Sequence, residues 1–340
     1  MDISLLITGG AGFIGSNFVK YLSNNFPEDK IVVIDKLTYA GHKKNIKELI
    51  DNNKISFFKG DISNTKLITK ILEEYKITHI ANLAAESHVD NSIENPSDFI
   101  ETNILGTYNL LNVFKNYWKK KGKPTHYRFL QISTDEVFGS LQKNEKPFCE
   151  STPYNPRSPY SASKASSDHL VKAWFNTYNL PCIVSNCSNN YGPFHFPEKL
   201  IPLTIINIIR GNSIEIYGDG ENIRDWLYVS DHCNALCKIL KQGIPGKSYC
   251  IGGNNEISNL DLVNHICNIF DRKQKISIKN SSTKLIKFIK DRPGHDKRYA
   301  INSSLLMKEL NWEPKIELTK GLEKTINWYL ENEDWWSTFK

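Results

Sequence analysis

Two adjacent carboxylates, Asp135 and Glu136, follow the apolar run 127–133 in the stretch Ile132-Ser133-Thr134-Asp135-Glu136-Val137-Phe138-Gly139. Neighbouring acids in one pocket push their proton affinities apart, so that one holds a proton at neutral pH and the other does not. Such a pair carries an acid and a base ready-made for proton transfer. In a regular strand consecutive side chains point to opposite faces. The pair therefore serves a single pocket only if the strand has ended by Thr134. A solvated pair in a turn is the ordinary alternative for an isolated Asp-Glu.

A second constellation lies downstream in Ser158-Pro159-Tyr160-Ser161-Ala162-Ser163-Lys164. Ser158 is suited to cap a helix and Pro159 to its first turn, which sets Tyr160 and Lys164 four residues apart on one helix face. A phenol titrates near 10, and bringing it to about 7 takes roughly 4 kcal/mol of preferential stabilisation of the phenolate. The Lys164 ammonium and a cationic cofactor ring in a half-buried site are the expected sources of that stabilisation. Tyr-x-x-x-Lys also recurs by chance. Its place after the fifth strand of a nucleotide-binding pattern gives it meaning.

That pattern comes from short β-rich runs at residues 5–8, 31–34, 55–58, 77–83, 127–133 and 182–186, separated by stretches of helical spacing such as 16–25 and 65–75. Strands that are apolar throughout, alternating with helices, predict an α/β fold of the Rossmann type, a doubly wound parallel sheet covered on both faces. The first strand runs into Thr8-Gly9-Gly10-Ala11-Gly12-Phe13-Ile14-Gly15. Glycines there permit a tight turn and close approach of backbone to a pyrophosphate, with a helix N-terminus facing the anion. The next strand ends in Asp35, about 20 residues after Gly15, where an acid binds the adenosine ribose hydroxyls and repels a 2′-phosphate. The cofactor is therefore expected to be NAD. Asp61, Leu83, Ala84 and Ala85 sit at further strand ends, where open α/β sheets bind ligands.

After residue 192 the pattern loosens into Pro- and Gly-punctuated segments, with one further strand at 248–251. We expect a cofactor domain over 1–192, rejoined by about 228–257, and a smaller mixed α/β C-terminal substrate-binding lobe from 193–227 and 258–340. The 340 residues carry Lys+Arg 43 against Asp+Glu 37, a formal charge of +6 without a long basic run. That mild excess suits an anionic small ligand rather than nucleic acid. Seven cysteines, with no C-x-x-C pair, read as reduced thiols. No apolar run reaches the roughly 18 to 20 residues a bilayer requires. The expected setting is cytoplasmic, with no membrane partner. His88, His195, His232 and His295 lack ligand spacing, and no metal is assigned.

The stretches "TGGAGFIG", "ISTDEVFG", "SPYSASKASSDH", "SNNYGPFHFPEKLIP", "YGDGENIRDWLYVSDH" and "DRPGHDKRYAI" together resemble the extended short-chain dehydrogenase/reductase family, and within it the nucleotide-sugar 4,6-dehydratases. The resemblance covers almost the whole chain. It implies NAD-dependent oxidation at C4 of a nucleoside-diphosphate hexose, loss of water across C5 and C6, and reduction at C6. It implies Tyr160 with Lys164 as the base for O4, Thr134 as its hydrogen-bond partner, Glu136 as the base for C5 and Asp135 as the acid for the C6 hydroxyl. Cofactor contacts are implied for Gly9, Gly12, Phe13, Ile14, Gly15, Asp35, Lys36, Leu37, Thr38, Asp61, Ile62, Leu83, Ala84, Ala85, Thr102 and Asn190, besides Tyr160 and Lys164. Substrate contacts are implied for Ser87, Asn189, Glu198, Lys199, Leu200, Tyr217, Arg224, Asn259, Arg292 and His295, besides Thr134. Arginine's planar fork suits phosphate oxygens.

Phe138 stands where that family usually carries tyrosine. Residues 101–119 and 159–179 have apolar side chains at helical spacing; core packing accounts for them, and the resemblance adds a homodimer through a four-helix interface. Two rival readings remain at this level. A nucleotide-sugar 4-epimerase would use the same cofactor and Tyr160-Lys164 but have no work for two acids after Ser133. A non-catalytic NAD-binding protein would have no need of the set. Thymidine and uridine differ by one methyl group, worth only about 1 to 3 kcal/mol in an apolar pocket, and stay unseparated.

Overall fold

The computed structural model describes residues 3–291 and 293–339. Seven apolar runs become strands of one sheet: β1 (Ser4–Thr8), β2 (Lys30–Asp35), β3 (Ser56–Lys59), β4 (His79–Asn82), β5 (Arg128–Thr134), β6 (Cys182–Cys187) and, after β7 to β9 described below, β10 (Ser248–Ile251). Their spatial order is β10-β6-β5-β4-β1-β2-β3, and every adjacent pair is parallel. Both faces are covered, which is why β4 and β6 are buried at every position. Helices Phe13–Asn25 and Val229–Gln242 pack on one face through Phe18, Leu22, Leu236 and Leu240. Helices Thr65–Glu74, Thr107–Lys120 and Pro159–Tyr178 pack on the other through Ile68, Leu111, Phe114 and Val171. The strand order reverses between β1 and β4, and at such a switch point diverging connections leave a crevice.

Beyond the sheet, β7 (Asn189–Tyr191) pairs with β9 (Ile223–Tyr228), which pairs in turn with β11 (Glu256–Ser258). The strands β8 (Ile214–Tyr217) and β12 (Ile286–Ile289) form a separate parallel pair. A distinct apolar core joins these to helices Leu200–Arg210, Asn259–Gln274 and Leu318–Glu331 through Tyr191, Ile205, Trp226, Ile266, Leu322 and Trp336. Two details depart from the expected division at residue 192. Tyr191 already belongs to this second core. Conversely, residues 304–312, expected in the second lobe, return to the first: Leu306, Leu310 and Trp312 are buried with Ala235 and Ile239. Apolar side chains spaced for one face of a short helix do not say which of two cores they will enter. The Trp312 indole N–H donates to the Asp231 carbonyl at 3.1 Å, tying the returning segment to the Val229–Gln242 helix.

Candidate active site

β5 ends at Thr134, and Asp135–Phe138 turn into a single 3-10 turn. The sequence required that termination. Gly139 closes the turn at φ 92, with the Asn155 carbonyl 2.5 Å from where a Cβ would stand, so only glycine fits there. The Thr134 hydroxyl accepts the Glu136 N–H at 3.2 Å and donates to Asp135 Oδ1 at 3.3 Å. One side chain thus fixes the approach of both acids. Glu136 lines the cleft, whereas Asp135 lies behind Thr134, 1% exposed and outside the cavity lining. Its Oδ2 has no hydrogen-bond partner among the described residues. Burial, then the charge of Glu136, holds the Asp135 carboxyl well above its ordinary range. A raised proton affinity is what a general acid needs.

Ser158 caps the Pro159–Tyr178 helix through a reciprocal bond with Ser161, and Pro159 occupies the first turn. This helix carries Tyr160 and Lys164 into the same cleft, both buried. The Lys164 ammonium donates to the Ile132 carbonyl at 2.7 Å, and burial lowers its proton affinity while Asp168 raises it. The expected lowering of the phenol rests on Lys164 together with a cofactor cation; the protein's own groups raise it instead. Burial, then Glu136, pushes Tyr160 well above 10, while the Thr134 hydroxyl beside it pulls the other way. The Lys164 ammonium reaches the end of β5 from the helix face it shares with Tyr160.

The glycine loop lies at the C-terminal end of β1, on the switch point. Gly9 adopts φ +66, and a Cβ on it would meet the Ala84 backbone at 2.7 Å; a Cβ on Gly15 would stand 2.1 Å from the Gly9 carbonyl. Asp35 accepts the Ala11 N–H at 2.9 Å and the Leu37 N–H at 2.7 Å. Burial raises its pKa and these amides oppose the rise. The loop after β4 is tied to the catalytic helix by Asn103, in the wider-wound turn Ile100–Gly106. Its amide bonds the Glu86 carbonyl at 3.0 Å and the Ser163 hydroxyl at 2.8 Å, and its oxygen accepts the Glu86 N–H at 2.9 Å.

These pieces enclose one cavity of about 520 Å³, ample for a nucleotide. Of the expected cofactor contacts, Gly9, Gly12, Phe13, Ile14, Gly15, Asp35, Lys36, Thr38, Asp61, Ile62, Leu83, Ala84, Ala85, Thr102 and Asn190 all line it. Leu37 does not. Its side chain turns into the first core and only its N–H serves the site, through Asp35. Lys36 is paired with Asp61 at 2.9 Å. Of the expected substrate contacts, Ser87, Thr134, Asn189, Glu198, Lys199, Leu200, Tyr217, Arg224, Asn259 and His295 line the cavity. Arg292 lies outside the described residues.

The lining from the second lobe reaches back to the first at the cavity mouth. The Tyr39 hydroxyl donates to Glu198 at 3.2 Å, and the Lys199 ammonium to the Ser87 carbonyl at 3.3 Å. Arg224 is 5% exposed, sits 4.3 Å over the Tyr299 ring and donates to the carbonyls of Ile223 and Asp296. It forms wall, and its charge opposes the rise in the proton affinity of Asp135. Phe138 packs against Phe148 and Tyr154, each at 5.2 Å; a core position has no use for the missing hydroxyl.

Sequence reasoning missed Trp226 and left His195 without a role in the site; both line the cavity. Trp226 had a signal, since residues two apart on a strand share a face and Arg224 precedes it on β9. Indole Nε1 of Trp226, Nδ1 of His195 and the amide oxygens of Asn189 and Asn259 are buried without hydrogen-bond partners among the described residues. Unpaired buried polar atoms are costly. On a cavity wall they mark where a polar ligand completes them.

The Rossmann sheet, the glycine loop and the Tyr160-Lys164 helix together define an extended short-chain dehydrogenase/reductase. The sequence profile of the family described as GDP-mannose 4,6 dehydratase matches residues 6–325. A dTDP-glucose 4,6-dehydratase of Escherichia coli is 49% identical over 347 residues, covering 98% of this chain and 95% of its own. Among solved structures, dTDP-glucose 4,6-dehydratase from Bacillus anthracis in complex with NAD superposes with TM-score 0.88 at 43% identity, over 99% of this chain and 100% of that one. The enzyme of the same description from Streptomyces venezuelae, also with NAD bound, gives 0.89 at 38%, with coverage of 99% and 100%. The chain belongs to the GDP-mannose 4,6 dehydratase family, and within it to the dTDP-glucose 4,6-dehydratases.

Proposed function

We propose that the chain converts dTDP-glucose to dTDP-4-keto-6-deoxyglucose, a hydro-lyase reaction of deoxysugar biosynthesis, using NAD. The observation that carries this reading is the pair at the end of β5: a buried Asp135 of raised proton affinity next to a cleft-facing Glu136. An epimerase has no work for such a pair. NAD fits the site on the cradle that a Cβ at Gly9 or Gly15 would fill and on Asp35, whose carboxylate is already oriented by two amides. Bound NAD supplies the acceptor that takes hydride from C4 and returns it at C6, so it is regenerated in each turnover.

The side chains divide the proton transfers. Tyr160, backed by Lys164, takes the O4 proton while Thr134 hydrogen-bonds O4. The 4-ketone makes the C5 proton acidic; Glu136 removes it and returns it to C5 when hydride is delivered to C6. Asp135, linked to the cleft through the Thr134 hydroxyl, holds the proton for the departing C6 hydroxyl. Asn189 and Trp226 complete their hydrogen bonding on the substrate, with Glu198 and Lys199 at the mouth and Tyr217, Asn259 and His295 toward the nucleotide. The division of labour is a cofactor domain over 1–188 with 228–257 and 304–312, and a substrate lobe formed by the remainder.

A homodimer is part of the same reading. Ile93, Ile100, Leu105 and Tyr108 are exposed apolar side chains along one flank, beside the Thr107–Lys120 and Pro159–Tyr178 helices. No helix among the described residues is long and apolar enough to cross a membrane, in keeping with work in the cytoplasm. Incubation with dTDP-glucose followed by mass spectrometry tests the function: we expect a product lighter by one water. Unchanged sugar nucleotide, or an isomer of equal mass, would contradict the dehydratase reading. Faster turnover of UDP-glucose would reassign the base.

A further inference from the structure

The last helix of the chain, Glu333–Trp336, belongs to the second core, far in sequence from the glycine loop. Yet the two are connected by a chain of single bonds. The Trp335 indole N–H donates to Asn45 Oδ1 at 2.7 Å. The Asn45 amide donates to the Ala11 carbonyl at 2.8 Å, and the His42 N–H reaches the same oxygen at 3.0 Å. Ala11 sits between Gly10 and Gly12, and its own N–H donates to Asp35 Oδ2. Trp335 and Asn45 are both nearly inaccessible, at 4% and 2%.

Two further contacts follow the same course. The Phe339 ring lies 4.3 Å from the His42 ring, and the Lys44 ammonium donates to the Asp334 carbonyl at 3.0 Å. A loop made of glycines has little intrinsic preference for one backbone conformation. Its shape must be set from outside, and on the Ala11 carbonyl the setting is done by the His42 N–H and by Asn45, itself held by Trp335.

Resting on the reading of this loop as the NAD site, we infer that Trp335 and Asn45 are cofactor-positioning residues: the C-terminal segment is a strap that holds the pyrophosphate loop in its binding shape and retains NAD between turnovers. Neither side chain lines the cavity, so the effect on NAD passes through Ala11 and Asp35. The segment also packs with Phe194, which precedes the cavity-lining His195. The strap therefore joins substrate lobe to cofactor loop.

The test is the rate at which NAD leaves the holoenzyme, captured by an excess of a separate NAD-consuming dehydrogenase. Trp335→Phe keeps an aromatic ring in place and removes the donor, leaving Asn45 Oδ1 unpaired. We expect NAD to leave on the order of three- to tenfold faster. Phe339→Ala, at the half-buried edge of the strap, is expected to give a smaller rise, about twofold, and serves if Trp335→Phe folds poorly. A merely structural role lowers the melting temperature of NAD-stripped protein and leaves the release rate alone. Release from both variants at the wild-type rate overturns the strap; wild-type holoenzyme that retains no NAD at all overturns the cofactor reading beneath it.

Discussion

The two halves of the cleft solve the problem of buried polar groups in opposite ways. In the cofactor half the polar groups at the strand ends are paired within the chain: Asp35 takes two main-chain amides, and Thr8 donates to Asn82, which donates to Gln131 and Thr107, with the buried His42 Nε2 as an exception. In the sugar half Trp226, Asn189 and Asn259 leave an atom unpaired at the wall, and Asp135 leaves one behind it. The first is a cradle shaped before any ligand arrives. The second holds hydrogen-bonding capacity in reserve, in keeping with a polyhydroxylated substrate that enters and leaves in every turnover while NAD stays.

That contrast can be sharpened or broken by substitution. Asp135→Asn, which keeps the shape and removes the transferable proton, is expected to lower kcat on the order of 10²-fold, in the range of general-acid catalysis. Stability should not fall, because a carboxyl whose ionised form is disfavoured by burial is replaced by a neutral amide. Thermal melting beside steady-state rates checks both halves of the expectation. Asp35→Ala acts on the satisfied side. It strips the acceptor from two amides, and we expect NAD affinity to fall about tenfold together with a lower melting temperature.

Trp226→Phe acts on the unsatisfied side and should do the reverse. KM for the sugar nucleotide rises about threefold while the melting temperature holds or increases, since a donor without a partner has been removed. If Trp226→Phe destabilised the protein as much as Asp35→Ala, the contrast between the halves would be lost.

Much of the cofactor half was legible in the sequence because its signals are local. A glycine loop between strand and helix, and an acid one strand later, are spacing statements, and the sheet realises them with Gly15 close against Gly9 and Asp35 accepting the Ala11 N–H. The end of β5 at Thr134 was legible for the same reason, as a condition on a few adjacent residues. The sugar half depends on which core a segment enters. Arg224 lines the cavity as expected, but its hold on the carbonyls of Ile223 and Asp296 was not legible, since the second is 72 residues away. Leu37 was misplaced because a strand-end neighbour of Asp35 reads as lining until its positive φ of 58 turns it into the core. That Lys164 also bonds the Ile132 carbonyl was not legible, because that acceptor lies on another element.

The central claim is that Glu136 is the base that opens the elimination after the C4 oxidation is complete. Glu136→Gln mixed rapidly with dTDP-glucose, and followed through the near-ultraviolet absorbance of reduced nicotinamide, addresses it directly. The account predicts that the absorbance rises at close to the wild-type rate and then persists, with dehydrated product formed on the order of 10³-fold more slowly. Wild-type turnover by that variant, or no absorbance rise at all despite bound NAD and substrate, would contradict it.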